Sequence, residues 1–274
     1  MKTIYRIVLL VLTIGLTSQV MAMDAEVVAR TILDPTISED RRAQLIRQHL
    51  GQAPELIRAM TRNLGTGAEE YRCIPHIWRV AISAGRQDET PVVRRLLAVA
   101  LPLSGERLRD WQAVVLGGGL INGWSLEGKW PEKRLRELIG EDADLSERWK
   151  RALVSAHAMV DDTKVPTGTR YDALRMIALD SWENGGKHLL QYLTKDTHAE
   201  LQMGAVSGLG DMDHPEAAKA LVNCLNIVTP DNRRLAIEAL FRTTTRKQAL
   251  REQLERGTIP AEWLSEAQRN ALKP

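Results

Sequence analysis

Three stretches of the sequence align when the chain is compared with itself: DALRMIAL at residues 172–179, GAVSGLG at 204–210 and LAIEALF at 235–241. The equivalent alanines Ala173, Ala205 and Ala236 are separated by 32 and 31 residues. A period of this length, carried by small and aliphatic residues at helical spacing, is typical of stacked helical hairpins, because one hairpin cannot bury its apolar face alone. The sequence therefore predicts an α-solenoid.

The rest of the chain is also predicted to be helical, since no segment shows a sustained alternation of apolar and polar residues between turns. The helical segments that the pattern predicts are 39–64 and 69–101, each a hairpin, and the first helices of the regular array at 170–181, 199–209 and 232–242. We divide the chain into irregular repeats at 23–160 and regular repeats with a C-terminal capping helix at 161–274. Length and period predict roughly six or seven helical pairs.

The N-terminal residues have the pattern of a secretory signal peptide. Lys2 and Arg6 precede the apolar run IVLLVLTIGL at residues 7–16, and small residues favour cleavage after Ala22. An uncleaved membrane anchor is the alternative, but the run is shorter than the about 20 apolar residues that span a bilayer. We therefore predict a signal peptide at 1–22 and a mature protein that is periplasmic or secreted, without stable membrane insertion.

Charge and cysteine content exclude several classes of function. Cleavage after Ala22 removes two cations and no anions, which leaves 35 Lys and Arg against 35 Asp and Glu. A formally neutral chain lacks the basic excess that binds a phosphate backbone, so no nucleic acid is predicted as a partner. Cys73 and Cys224 lie too far apart in a helical stack for a disulfide, and neither belongs to a C-x-x-C pair. We predict two free, buried thiols, no cofactor and no metal.

The segment Ala205–Ala217 resembles short HEAT-like repeats, with an alanine-containing first helix, a Leu-Gly-Asp turn and a Pro-Glu-Ala helix start. The stretches IPHIWRVAI (74–82), LRDWQAVVLGGG (108–119) and ING (121–123) are similar to the HEAT-repeat segment of large secreted bacterial proteins. In those proteins the segment lies between a membrane-bound-dehydrogenase-like propeller domain and a c-type haem domain. This sequence has neither a propeller-sized region nor a haem attachment motif. The resemblance therefore implies a docking array beside extracytoplasmic redox proteins, and no redox chemistry of its own.

Four residues near the irregular centre are candidates for partner contact. Trp124 and Trp130 are surrounded by glycine and charged residues, so we expect these two indoles to be exposed while the other tryptophans fill the core. Arg95 and Arg109 lie beside the same region, although neighbouring acidic residues favour an ion-paired surface there. Contact with the partner is expected along the second helices of the hairpins.

Three patterns that suggest chemistry have simpler structural interpretations. Gly117-Gly118-Gly119 follows a helix and lacks the lysine of a phosphate-binding loop, which favours a turn or a close helix contact. The histidines at 188, 198 and 214 lack the spacing of a zinc site. Asp161 and Asp162 are adjacent in a polar loop, where carboxylates are usually solvated, and no second acid at working distance is evident.

These observations favour a non-catalytic, protein-binding scaffold of the periplasm or cell envelope. The first alternative is an accessory subunit of an extracytoplasmic dehydrogenase and cytochrome c assembly, with redox proteins as its partners. A carbohydrate hydrolase that uses the tryptophan-rich centre is the second alternative, and it requires paired carboxylates in a cleft.

Overall fold

A computed structural model describes residues 24–273 of the protein. Within this range all regular elements are helical and no strand is present, which confirms the predicted all-α solenoid. The predicted signal peptide at 1–22 lies outside the described residues. None of the helices in the described range is both long enough and apolar enough to cross a bilayer.

The N-terminal part contains seven α-helical segments and two other helical elements among its described residues, as follows: α1 (Ala25–Leu33), α2 (Glu39–Gln48), a 3₁₀ turn (Leu50–Gln52), α3 (Ala53–Thr61), α4 (Ala68–Gln87), α5 (Thr90–Ala100), α6 (Asp110–Ala113), a π-helix (Val114–Ile121) and α7 (Asn122–Leu126). The last three elements are joined through residues in helical conformation. We call this continuous unit, residues 110–126, the central helix.

The C-terminal part continues with further helices, as follows: α8 (Pro131–Ile139), α9 (Ala143–Asp161), α10 (Thr167–Ile177), a π turn (Trp182–Gly186), α11 (Lys187–Leu190), α12 (Ala199–Asp211), α13 (Pro215–Cys224), α14 (Pro230–Leu240), α15 (Thr244–Glu255), a 3₁₀ turn (Ala261–Trp263) and α16 (Glu266–Ala271). The predicted first helices correspond to α10, α12 and α14, with boundaries that differ by at most four residues.

The helices pack in two layers. In the first layer α4 packs on the central helix, the central helix on α10, α10 on α12, and α12 on α14. In the second layer α3 packs on α5 and α5 on α8, and further along the chain α13 packs on α15. One apolar core runs between the layers from Val28 to Leu272. Each hairpin thus buries its apolar face against its neighbours, as expected for a solenoid.

Proline and short polar side chains define where the helices of the regular array begin. Pro215 and Pro230 occupy the first turns of α13 and α14, where an absent N–H leaves no hydrogen bond unmade. The Oγ1 atom of Thr229 accepts from the backbone N–H of Asn232 at 3.4 Å, and the Nδ1 atom of His214 accepts from that of Glu216 at 3.2 Å. These local signals place the helix boundaries close to those expected from sequence.

The glycine cluster forms part of the central helix, so the expected turn at this point is absent and the expected close helix contact is confirmed. A Cβ atom at Gly117 would collide with the backbone carbonyl of Asp172 in α10, and one at Gly119 would collide with Ala81 in α4. Every residue from Ala113 to Ile121 is buried. Glycine therefore lets one helix approach two neighbouring helices closely in the first layer.

Helix α1 was not predicted from the sequence, although Asp24 caps its N-terminus and Val28 and Ile32 are fully buried. Helix α1 packs on α3 and extends the stack at its N-terminal end. Both cysteines are free, as predicted. Cys224 is buried, whereas Cys73 is only partly buried, so the prediction of two buried thiols is wrong for Cys73.

Candidate functional site

Residues 122–130, comprising α7 and the loop after it, connect two distant parts of the first layer, and we call them the bridging segment. At its start, the indole Nε1 of Trp124 donates to Asp88 Oδ1 at 3.1 Å, and Asp88 ends α4. Further along, Ser125 Oγ donates to Asp211 Oδ1 at 2.6 Å, and Arg242 Nη2 donates to the carbonyl of Lys129 at 2.8 Å. The bridging segment is thereby attached to the end of α4 and to the regular repeats.

Asp88 is the first of two aspartates that hold the bridging segment. Its side chain is only 3% exposed, and the residue adopts a left-handed conformation with φ of 54° at the C-cap of α4. Besides Trp124, its carboxylate accepts from Arg134 Nε at 3.0 Å and pairs with Lys129. A buried carboxylate with three donors needs no further partner, so Asp88 fixes the path of the chain from α7 into α8.

Asp211, at the end of α12, is the second aspartate that holds the bridging segment. Its side chain is 1% exposed and accepts from Arg175 Nη2 at 2.6 Å and from Arg242 Nη1 at 2.8 Å, in addition to Ser125. The Arg175 side chain is 2% exposed, so this ion pair is excluded from solvent and weakly screened. The network joins α10, α12 and the turn after α14 to the bridging segment through charge-assisted hydrogen bonds.

Trp130, the last residue of the bridging segment, packs against cationic side chains from the turn after α14 and the first turn of α15. The guanidinium carbon of Arg242 lies 4.1 Å from the centre of the Trp130 ring, and that of Arg246 lies 5.2 Å from it. Burial and the neighbouring Arg242 charge lower the pKa of Arg246 to about 10. Trp130 is half-buried, and its ring stabilises this pair of neighbouring cations by cation–π interaction.

An open cleft of about 400 Å³ lies between the bridging segment and the first helices of the regular repeats, and we call it the repeat cleft. Its lining combines apolar, cationic and anionic side chains, principally Ser125, Leu126, Tyr171, Arg175, Met203, Ser207, Leu235, Glu238 and Arg242. Leu126 is 60% exposed. The cleft therefore offers apolar and polar side chains next to one another, repeated along three successive first helices. Such a surface suits an extended protein segment.

The repeat cleft is formed by the first helices, α10, α12 and α14, whereas the sequence analysis assigned partner contact to the second helices. A smaller groove of about 320 Å³ lies nearby and is lined by Trp130 and by Trp182, which stacks on His214 with 5.1 Å between ring centres. Trp130 therefore lines the smaller groove. It also contacts Arg242, which lines the repeat cleft.

The expectation that Trp124 is exposed is wrong, because its side chain is completely buried. Gly123 has no Cβ, and one placed there would collide with the backbone of Gly85 and Arg86 in α4. This close approach turns the Trp124 indole into the interior, where Asp88 satisfies its N–H. Trp124 is a structural residue of the bridging segment.

The remaining two predicted contact residues are engaged in local structure of the N-terminal half. Arg95 Nη1 pairs with Glu55 at 2.7 Å, and Arg95 Nη2 donates to the carbonyl of Gly51 at 3.0 Å. Arg109 Nη2 donates to the carbonyls of Leu64 and Gly65 at 3.1 and 3.0 Å. The ion-paired surface expected here is present, and the four predicted residues do not come together at one site.

Sequence analysis missed the arginines and the serine that surround Asp211. Asp211 itself belongs to the Leu-Gly-Asp turn on which the resemblance to HEAT-like repeats depends, so this turn was the available signal. Arg175 belongs to the first aligned stretch, and Arg242 directly follows the last. Arg242 and Asp211 occupy equivalent positions, each six residues after its aligned alanine, but the alignment does not indicate that Arg175 and Ser125 would complete the network.

The residues considered for metal binding or catalysis are dispersed. His198 and His214 cap α12 and α13, whereas His188 contacts His157. Between residues 24 and 273, no group of three or more histidine, cysteine or acidic side chains has a geometry suited to a metal ion. Asp161 accepts hydrogen bonds from His188 and Tyr192, and these bonds lower its pKa although burial opposes them.

Comparison with protein-family models gives a match to the model described as HEAT repeats over residues 186–260. This range begins at the end of the π turn and includes α11 to α15, which are part of the regular array. No curated protein and no solved structure matched the chain in the corresponding comparisons. The described residues form a helical solenoid, and residues 186–260 are similar to HEAT repeats, a type of repeat that typically serves as a non-catalytic scaffold for protein interaction.

Proposed function

We propose that this protein is a non-catalytic scaffold of the periplasm or cell envelope and that its partner lies in the repeat cleft. The observation that carries this proposal is the cleft itself, because three successive first helices and the bridging segment line one continuous concavity. A solenoid with HEAT repeats uses such extended surfaces to hold another protein.

The lining of the repeat cleft indicates how a partner segment is held. Leu126 is 60% exposed at one wall, and Met203 and Leu235 supply apolar side chains from α12 and α14. Arg175 and Arg242 are fixed by Asp211, so their positions do not have to be ordered when the partner binds. A rigid lining reduces the entropy cost of association.

The proposed compartment depends on the apolar run at residues 7–16 and on the small residues that favour cleavage after Ala22. Cell fractionation with mass spectrometry tests it directly. We expect the protein in the periplasmic fraction, with a mass that lacks residues 1–22. Recovery of the intact chain from the cytoplasm would contradict this part of the proposal and leave the binding function open.

The binding function is tested with a photoreactive amino acid placed at Leu126 and, as a matched control, at Leu103. Both leucines are well exposed, at 60% and 56%, but Leu103 lies in the loop between α5 and the central helix. We expect a protein partner to crosslink in cells at position 126 and not at position 103. Leu126→Glu should abolish capture of that partner, while Leu103→Glu should leave it unchanged. Equal crosslinking at both positions would show that the cleft is not the binding surface.

A narrower proposal, supported only by the resemblance of residues 74–82 and 108–123, is that the partner belongs to an extracytoplasmic dehydrogenase and cytochrome c assembly. Identification of the protein crosslinked at position 126 decides between the general scaffold proposal and this accessory-subunit proposal. A haem protein or dehydrogenase supports the accessory-subunit proposal. A partner without redox function refutes it and leaves the scaffold proposal intact.

A further inference from the structure

His157, near the end of α9, and His188, in α11, contact each other directly. Their Nδ1 atoms are 2.8 Å apart, and the two rings are within 12° of parallel. The side chains are 24% and 13% exposed, so the contact is largely shielded from water. The contact joins α9, the last helix before the regular array, to α11, the second helix of the first regular repeat.

The other ring nitrogen of each histidine faces a carboxylate. His157 Nε2 lies 3.1 Å from Asp180 Oδ2, and His188 Nε2 lies 2.9 Å from Asp161 Oδ1. Tyr192 also donates to Asp161, at 2.7 Å. Although burial favours the neutral acid, the hydrogen bonds from His188 and Tyr192 lower the pKa of Asp161. The carboxylate therefore remains ionised at neutral pH and keeps a proton on His188 Nε2.

Counting protons limits the states that this geometry allows. If both Nε2 atoms carry hydrogen toward carboxylates, one further proton is needed to make the Nδ1–Nδ1 contact a hydrogen bond. If both Nδ1 atoms carry a proton, two N–H donors face each other. If neither carries one, two lone pairs face each other. The favoured state thus contains three protons on two rings and one net positive charge.

We infer that His157 and His188 share one proton and act as a pH-responsive clasp between α9 and α11. In neutral solution the shared proton holds the two helices together. Acidification adds a fourth proton, which turns the hydrogen bond into a repulsive contact between two cations at 2.8 Å.

Apart from Asp161 and Asp180, which contact the rings at Nε2, the charged groups around the pair have partners of their own. Those that face it from the packed elements are Asp161 and Asp180, the ion pair of Glu183 with Lys187, and Arg170, which donates to the Val160 carbonyl at 2.7 Å. Acid release of the clasp would loosen α11 from α9 at an open groove of about 590 Å³ that is lined by the two histidines together with Asp161 and Asp180.

Nitrogen-15 spectroscopy of the histidine rings in the intact protein, with chelator present to exclude metal, tests the protonation state directly. At pH 7 we expect both Nε2 atoms protonated and the two Nδ1 atoms sharing one proton. At pH 5 all four nitrogens should carry hydrogen. A bare Nε2 on either ring at pH 7, or two neutral rings, would overturn the inference.

A double-mutant cycle tests the energetic role, using His157→Asn, His188→Asn and both together in urea unfolding. We expect the pair to favour folding about tenfold beyond the sum of the single effects at pH 7, and this favourable coupling to be lost or to become unfavourable at pH 5. His198→Asn is the control, because asparagine also caps a helix and this histidine lies outside the pair. Coupling below twofold at pH 7, or coupling that persists at pH 5, would refute the clasp. If a single variant fails to fold, the ring spectra of the unmodified protein decide the question.

Discussion

Replacing Asp211 with alanine is expected to destabilise the protein by about 3–5 kcal/mol. The Asp211 side chain is 1% exposed and its carboxylate accepts from Ser125, Arg175 and Arg242. Its removal leaves the Arg175 guanidinium, 2% exposed, as a buried charge without its anion. That uncompensated charge, together with three lost hydrogen bonds, sets the size of the effect.

Asp211→Asn separates the charge from the hydrogen bonds. The amide retains one acceptor oxygen but cannot neutralise two arginines, so we expect a loss of about 1.5–3 kcal/mol. Because the pair of Asp211 with Arg175 is buried, the difference between the two variants should change little between low and high salt.

Urea unfolding followed by circular dichroism measures these losses, with Asp213→Ala as the control. Asp213 is exposed and only two residues away, so its replacement should change stability by less than about 0.5 kcal/mol. If Asp211→Ala and Asp213→Ala have equal effects, the network around Asp211 does not hold the bridging segment, and the account of the repeat cleft fails with it.

Three further predictions concern individual contacts. Gly117→Ala should lower the free energy of unfolding by about 1–3 kcal/mol, because the new methyl group collides with the Asp172 carbonyl. Gly51→Ala is the control, because nothing lies within 4 Å of the added Cβ, and it should be nearly neutral in the same urea-unfolding assay. Burial raises the pKa of the Asp172 carboxyl well above its ordinary value, so its contribution to stability is complete below about pH 4 and is lost as the pH rises through the folded-state pKa. Asp172→Asn should therefore unfold at higher urea than the unmodified protein at pH 8, with a gain that shrinks toward pH 4, and a less stable variant at pH 8 would contradict this explanation. Burial also raises the pKa of the Cys224 thiol to about 12, so in a Cys73→Ser background a thiol reagent should react only as fast as the protein unfolds, and rapid labelling of the folded protein would refute this.

The regular array was predictable because its signals are local. The aligned stretches at 172–179, 204–210 and 235–241 each place small and aliphatic residues on one helix face, and proline at 215 and 230 marks two helix starts. Such signals act within one or two turns of helix, so they do not depend on what the chain does elsewhere.

The irregular centre was predicted less well because its glycines serve contacts between distant helices. Gly117 and Gly119 look like a helix end in sequence, since glycine is a poor helix former. In the structure they lie against Asp172 and Ala81, which are 55 and 38 residues away along the chain. The glycines indicate that a close helix contact is possible but not which helices approach, so the burial of Trp124 was not predicted.

The amino-acid sequence by itself determined the helical hairpins, their period and the α-solenoid, because helix propensity, capping and apolar spacing are properties of neighbouring residues. Only the tertiary structure decided that the bridging segment lies along the first helices and forms the repeat cleft with them. That arrangement depends on single contacts such as Ser125 with Asp211 and Lys129 with Arg242, 86 and 113 residues apart. Contacts at such separations form only when the stacked repeats bring their partners together, and no short pattern in the sequence encodes them.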